Sequence, residues 1–362
     1  KLIAVGLYLY IVLYTQVPWK TGNLRMQARQ LHITNGDAAA DIIKASKIAG
    51  DVLSWRDPMH HGPFPGNHDL DSVSNIRAKY LAGYGLDEKK VKLAFHTRNE
   101  LLRAFTRYDE VVLWFEHDLL DQLQVLQLLH WFGGANKTST ELTMICINKH
   151  SELSEFRGLG QLSCEQFDRL LPTRVPISNA QLQLARSVWD TFVSDNPTSL
   201  EKQIQKDTAA LPFLKAALHR HLQEFPWTED GLSRTERQIL TLVASGAVYP
   251  QNVFTGNMQY EDALFIGDWH TYKIISDLCT ASTPLLICRP DAVFRYPPDE
   301  NLSAEVFQRQ VLSVSEAGRS VLELTQSARS LIHRDDWLGG VHLQSDKAIW
   351  MWNNSSTQLV LN

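Results

Sequence analysis

Glu110-Val111-Val112-Leu113-Trp114-Phe115 is the most apolar strand candidate in the first half of the chain, and its surroundings decide the fold. Directly behind it stand Glu116-His117-Asp118, and then Leu119 to Phe132 form an apolar helix stopped by Gly133-Gly134. Leu142-Thr143-Met144-Ile145-Cys146-Ile147 is the next strand. Working backwards, Leu31 to Thr34 alternate towards an Asn35-Gly36-Asp37 turn, and Ala38 to Ile43 have helical composition with Asp37 as the expected N-cap. Gly50-Asp51 breaks that helix, and Val52-Leu53-Ser54-Trp55 reads as a strand ending at Arg56-Asp57-Pro58. A strand, a helix and a strand in that order make a parallel, right-handed unit. From Asp69 to Tyr108 the pattern is helical in two pieces around Gly83-Tyr84-Gly85. The expectation for residues 26–150 is therefore an α/β, Rossmann-like domain with a doubly wound, mostly parallel sheet of at least four strands.

Beyond it, Ala180 to Val193 and Ser199 to Phe225 are strongly helical, with Pro172, Pro176 and Pro197 at the breaks. Residues 151–227 thus read as a helical connector or cap, and Pro226-Trp227-Thr228 is the next boundary. Ser233-Arg234-Thr235-Glu236 carries the capping-box pattern and opens a helix through Ala244. A second helix is expected after Asp268. The strand Val311 to Val314 leads into Ser315 to Leu322, a turn of the kind found at the wing of winged-helix domains. Residues 228–362 are accordingly expected to form a small winged-helix-like α+β domain, closed by a hairpin of Val341-His342-Leu343 with Ile349-Trp350-Met351-Trp352. Residues 1–25 read as an upstream or appended segment, since Met26 stands directly before the first convincing strand, and the apolar run Leu2 to Tyr14 is shorter than the roughly 20 residues that span a bilayer. Nor do its flanks suit a secretory signal.

With 362 residues, 44% of them hydrophobic, the chain can build two ordinary cores. A net charge of −5 and a pI near 6.2 argue against a domain that wraps a polyanion. From Thr228 to Asn362 there are ten Lys and Arg against sixteen Asp and Glu. DNA is an unpromising partner for that part, whose helix after Asp268 offers only His270 and Lys273 as cations. Cys146, Cys164, Cys279 and Cys288 lie far apart without a C-x-x-C pair, so they read as buried thiols in a reducing, cytoplasmic compartment.

Three separated segments carry a family resemblance. They are Leu31-His32-Ile33-Thr34-Asn35-Gly36-Asp37-Ala38-Ala39, then Trp55-Arg56-Asp57 with His61-Gly62-Pro63, then Leu113-Trp114-Phe115-Glu116-His117-Asp118 with Asp121-Gln122-Leu123. Together they resemble the bacterial family called domain of unknown function 1835. Asp230 to Glu236 and Phe265-Ile266-Gly267-Asp268-Trp269 are similar to the C-terminal companion domain often found with it. The resemblance implies no activity.

In an open parallel sheet, ligands bind beyond the carboxyl ends of the strands, at the point where strand order reverses. Here those ends are polar: Asn35 and Asp37 after the first strand, Arg56, Asp57, His60 and His61 after the second, and Glu116, His117 and Asp118 after the third. Asp121 and Gln122 follow Asp118 at helical spacing, which places all three on one helix face with Asp118 as N-cap. The catalytic candidates are Asp57, His61, Glu116, His117 and Asp118, since a carboxylate beside His61 or His117 can fix the tautomer and raise basicity. The ligand-binding candidates are His32, Asn35, Gly36, Asp37, Trp55, Arg56, Asp121 and Gln122, with His32 also suited to a packed, hydrogen-bonded place inside its strand. A plainer reading has Asp37 capping its helix, Arg56 paired with Asp57 or Asp118, and the histidines in a solvated loop.

One glycine, Gly36, makes a poor phosphate cradle beside Asp37 and Asp41. The carboxylate excess favours a hydroxyl-rich or cationic ligand, or a phosphate accompanied by Mg²⁺. There is no G-x-S-x-G elbow, which argues against a serine hydrolase. The leading expectation is a hydrolase or transferase for a nucleotide-like or other small polar ligand. The alternative is a ligand-sensing regulator or protein-interaction module built on the C-terminal part.

Overall fold

A computed structural model describes residues 29–66, 68–136, 138–291, 293–297, 299 and 302–362; the expectation for residues 1–25 lies outside them. Strand β1 (Gln30–Thr34) turns through Asn35-Gly36 into helix α1 (Asp37–Ala45), and β2 (Asp51–Ser54) returns parallel to β1. The two-residue strand β3 (Gly62–Pro63) precedes α2 (Leu70–Ala82) and α3 (Glu88–Arg103). Asp69 and Asp87 start these two helices, each accepting from two backbone N–H groups of the first turn. Then come β4 (Glu110–Glu116), α4 (Leu119–Gly134), β5 (Glu141–Ile147), α5 (Cys164–Leu170) and β6 (Val175–Pro176). These strands form one sheet in the order β2-β1-β4-β5-β6, parallel except for β6. The protein is thus a mixed α/β structure with a mostly parallel five-stranded sheet.

Every residue of β4 is buried, as a parallel strand covered on both faces requires. Val111, Leu113 and Phe115 join a large core with α4, while Val112 and Trp114 pack with Ala39 and Ile43 of α1 and Phe167 of α5. Asp37 does not cap α1. Gly36 holds that position, Asp37 is the first helical residue, and its carboxylate is taken by Arg56 at 2.6 Å.

Helices α6 (Asn179–Phe192), α7 (Thr198–Ile204) and α8 (Leu214–Leu222) extend the same core through Val188, Phe192, Leu200 and Leu218. A second core starts at Leu232. It joins α9 (Arg234–Ala244), α10 (Pro250–Gln259), α11 (Asp268–Thr280), β7 (Leu286–Arg289), α12 (Ala304–Arg309), β8 (Val311–Val314) and α13 (Glu316–Leu322) around Ile239, Leu240, Ile275, Leu312 and Val321. The Ser233 side chain and Glu236 form the expected reciprocal capping box. Among the described residues no helix is long and apolar enough to cross a membrane.

The last strands are β9 (Asp335–Gly339), β10 (Val341–Gln344), β11 (Trp350–Asn353) and β12 (Gln358–Leu361). The expected hairpin between 341–343 and 349–352 is absent: β10 pairs with β9, and β11 with β12. Two tight turns, at Gly340 and around Ser355, replace the single longer one. These strands pack into the first core, not the second, through Val341, Leu343, Met351, Trp352 and Leu359. Of the four thiols expected to be buried, Cys279 and Cys288 are, whereas Cys146 and Cys164 are partly exposed; all four are free.

The β9–β10 turn lies against the end of α6 so closely that a Cβ on Gly340 would stand 2.0 Å from the Val193 carbonyl oxygen. Gly340→Ala is expected to destabilise the fold by about 1–3 kcal/mol, the usual cost of overpacking against immovable backbone. Urea unfolding followed by circular dichroism checks this; a loss under about 0.5 kcal/mol, the range of a neutral surface change, would contradict the docking.

Candidate functional site

Strand order runs outward from β1 to β2 on one side and from β4 to β5 on the other, so the crevice of the sheet lies between the ends of β1 and β4. Their register sets Thr34 beside Trp114, which brings Asn35 to the end of β4. The Asn35 amide donates to Glu116 Oε1 and to Asp121 Oδ1, both at 3.0 Å. Asp121 Oδ2 accepts from the Glu116 backbone N–H at 2.5 Å, and Asp118 caps α4 by accepting from Asp121 N–H at 3.0 Å. Gln122 donates to the Glu116 carbonyl at 2.7 Å. One oxygen from each of Glu116, Asp118 and Asp121 lies within 4.8 Å of the others, and all three residues are buried.

None of these three carboxyls is ion-paired among the described residues. Burial, reinforced by the Asp118 charge, pushes the Glu116 carboxyl up to about 8. Burial also raises Asp118, and it raises Asp121 strongly, with the Asp118 and Glu116 charges adding to the shift. An oxygen of Glu116 and one of Asp118 lie within 4.8 Å of each other, so the Asp118 charge favours a proton on Glu116. Beside them a cleft of about 150 Å³ is lined by Gln122, Cys146, Met144, Leu211 and Phe213. The Gln122 and Cys146 side chains separate it from Glu116, and both donate to the Glu116 carbonyl.

Of the residues expected at the site, Asn35, Glu116, Asp118, Asp121 and Gln122 come together. Asp37 and Arg56 pair with each other, each about 30% exposed, so Arg56 takes neither Asp57 nor Asp118. Gly36 has open space where a Cβ would stand, so no backbone approach demands glycine there. His117 is separate: its ring lies 6.0 Å from Phe213, and burial lowers its pKa. His32 and Trp55 are core residues. Trp114 Nε1 donates to His32 Nδ1 at 3.1 Å, which leaves Nε2 to donate to the Ala49 carbonyl. Trp55 Nε1 donates to Gln127, and the Arg98 guanidinium covers its ring at 4.0 Å.

Asp57 is held by Arg77 in a fully buried ion pair, with Nη2 at 2.8 Å and Nε at 3.0 Å from Oδ1. His61 and His60 are each 5% exposed, not solvated, and they meet His270 of α11 in a second cluster. Gln124 joins the two neighbourhoods by donating to the carbonyls of Asn35 and Asp57.

Two contributors have no counterpart in the sequence reading of the site. The Leu159 N–H donates to Glu116 Oε1 at 2.6 Å, and Gly158, at φ +154°, would place a Cβ 2.7 Å from Glu116 Oε2. Only a glycine lets that loop close over the carboxyl. The Gly158-Leu159-Gly160 run was the available signal. His270 is the other, one residue beyond the Phe265 to Trp269 segment.

Comparison with protein-family models and with curated proteins finds no match to this chain.

Because folding raises the Glu116 pKa, its contribution to stability is complete below the ordinary value of 4.5 and is lost as pH rises through about 8. Glu116→Gln keeps the oxygen that accepts from Asn35 and Leu159 while removing the titration. Wild-type stability is expected to fall relative to the variant between about pH 5 and about pH 9. Urea unfolding across that range tests this, and parallel stability curves would contradict it.

Proposed function

We propose that the carboxyl cluster between β1 and β4 is the active site of a hydrolase or transferase acting on a nucleotide-like or other small polar ligand. The observation that carries the reading is three buried carboxyls without a paired cation at the sheet crevice, beside an open cleft. Carboxyls pushed to different proton affinities divide the work. Asp118, the weaker proton holder, takes the proton of the attacking hydroxyl, and protonated Glu116 gives its own to the leaving group. Asn35 and Asp121 hold this pair in place. For a phosphate-bearing ligand, Mg²⁺ is the ion an all-oxygen donor set selects.

In the same reading the first unit is a doubly wound, Rossmann-like domain, supported by its parallel order and by helices packed on both faces. The winged-helix-like reading of the C-terminal unit rests on α9 to α11 followed by the antiparallel β7–β8 ribbon. Membership of the family called domain of unknown function 1835 rests on the segments quoted above, which supply the ends of β1, β2 and β4. For the C-terminal unit we favour protein contact over DNA, since Lys273 is paired with Asp277 and His270 is turned inward.

A thermal-shift series with nucleotides and sugar phosphates, each with and without Mg²⁺, tests the site. Wild-type protein should be stabilised by at least one of them, and Asp118→Asn, Glu116→Gln and Asn35→Ala should each abolish that shift while retaining a cooperative melt. A shift of full size in all three variants would remove the reading.

A further inference from the structure

We propose that His60, His61 and His270 form a binding site for a first-row transition-metal ion, with Zn²⁺ as the first choice, tying α11 to the segment after β2. One nitrogen from each ring lies within 4.8 Å of the other two. The ring centroids stand 3.9 Å apart for His61 and His270, 4.7 Å for His60 and His61, and 5.0 Å for His60 and His270. Nitrogens around a tetrahedral Zn²⁺ stand roughly 3.3 Å apart for Zn–N bonds of about 2.0 Å, a spacing that modest ring rotations reach.

The second observation is the state of those nitrogens. Both nitrogens of His60, Nε2 of His61 and Nδ1 of His270 are buried without a hydrogen-bond partner. One such atom is an ordinary imperfection of a core, but four in one cluster leave a set of donors aimed at nothing. His61 is oriented as a ligating histidine would be. Its Nδ1 lies 3.1 Å from the Tyr80 hydroxyl, which is itself bonded to Tyr84, so an Nδ1–H donated to Tyr80 leaves the Nε2 lone pair free. Burial lowers the proton affinity of all three rings, with neighbouring histidines and cations adding to it, so the neutral form that a metal needs is in place. The nearby cations are already neutralised, Arg77 by Asp57 and Lys273 by Asp277. A donor set of nitrogens alone selects Zn²⁺ and its neighbours over Mg²⁺ or Ca²⁺. Three protein ligands leave the fourth position to water.

This cluster shares no residue with the carboxyl cluster of Glu116, Asp118 and Asp121. His60 and His61 belong to the unit built on the sheet, while α11 carries His270 from the second core, so the ion would act as a clip between them.

The test uses the full chain, stripped with a chelator and titrated with Zn²⁺, and with Co²⁺ as a spectroscopic probe. One equivalent should bind, raise the melting temperature, and give the visible absorption of nitrogen-ligated Co²⁺. His61→Ala, His270→Ala and the milder His270→Gln should weaken binding by about 100-fold or more, and Tyr80→Phe, which only orients His61, by about 10-fold to 100-fold. Circular dichroism identifies the folded variants, and His270→Gln and Tyr80→Phe carry the test if the alanine variants do not fold. Glu116→Gln and Asp118→Asn should bind Zn²⁺ as wild type does. Absence of stoichiometric binding, full affinity in folded His270→Gln, or loss of binding in the carboxyl variants would each overturn the proposal.

Discussion

The complete burial of β4 is the constraint on which the rest of the structure depends. A strand with no solvent on either face must be covered twice, and its polar residues are driven to its two ends. The ends are treated differently. Glu110 at the first end meets Arg174, Thr143 and Gln30. Burial raises its pKa, but those bonds outweigh it and bring the carboxyl below its ordinary value. Glu116 at the other end meets Asn35, Leu159 and two further acids. One strand thus carries a neutralised carboxylate at one end and an uncompensated carboxyl at the other, at the crevice where a sheet of this order can admit a ligand.

The units are joined by charges withdrawn from water. Arg220 of α8 contacts Glu224 and Glu261 and lies over the Phe265 ring at 3.6 Å, and Arg334 reaches Glu236 at 2.7 Å. Phe265 and Ile266, although close in sequence to the second core, are buried in the first. Buried ion pairs of this kind add little net stability, but losing one partner leaves an unpaired charge in the interior. They therefore restrict how the two cores can be arranged more than they strengthen either.

The local rules were legible and the distant pairings were not. The apolar run at Val111 to Phe115, the Gly83-Tyr84-Gly85 break and the Ser233 to Glu236 cap are encoded within a few residues, and each appears in the structure as read. At the site, the meeting of Asn35 with Glu116, Asp118 and Asp121 was readable because strand ends in a parallel sheet share one edge. Asp37 misled because a carboxylate in a first turn suits a cap and an ion pair equally, and the choice turned on where Arg56 sat. The tail misled because alternation marks Val341 to Leu343 and Trp350 to Trp352 as strands without naming their partners. His270 and Gly158 were silent for the same reason: what makes each distinctive is a neighbour more than forty residues away.

The pairing of β3 with β9 carries a consequence for how the molecule is made. Gly62-Pro63 lies beside Leu338-Gly339, and Trp352 and Leu359 fill the core that β1 and β4 begin. During synthesis the sheet emerges early, yet the core it begins is completed only by the last strands, after closure of the long loop between β3 and β9. Until then the part of the first core that Val341, Leu343, Met351, Trp352 and Leu359 fill stands open, which makes the half-made chain the form most exposed to aggregation.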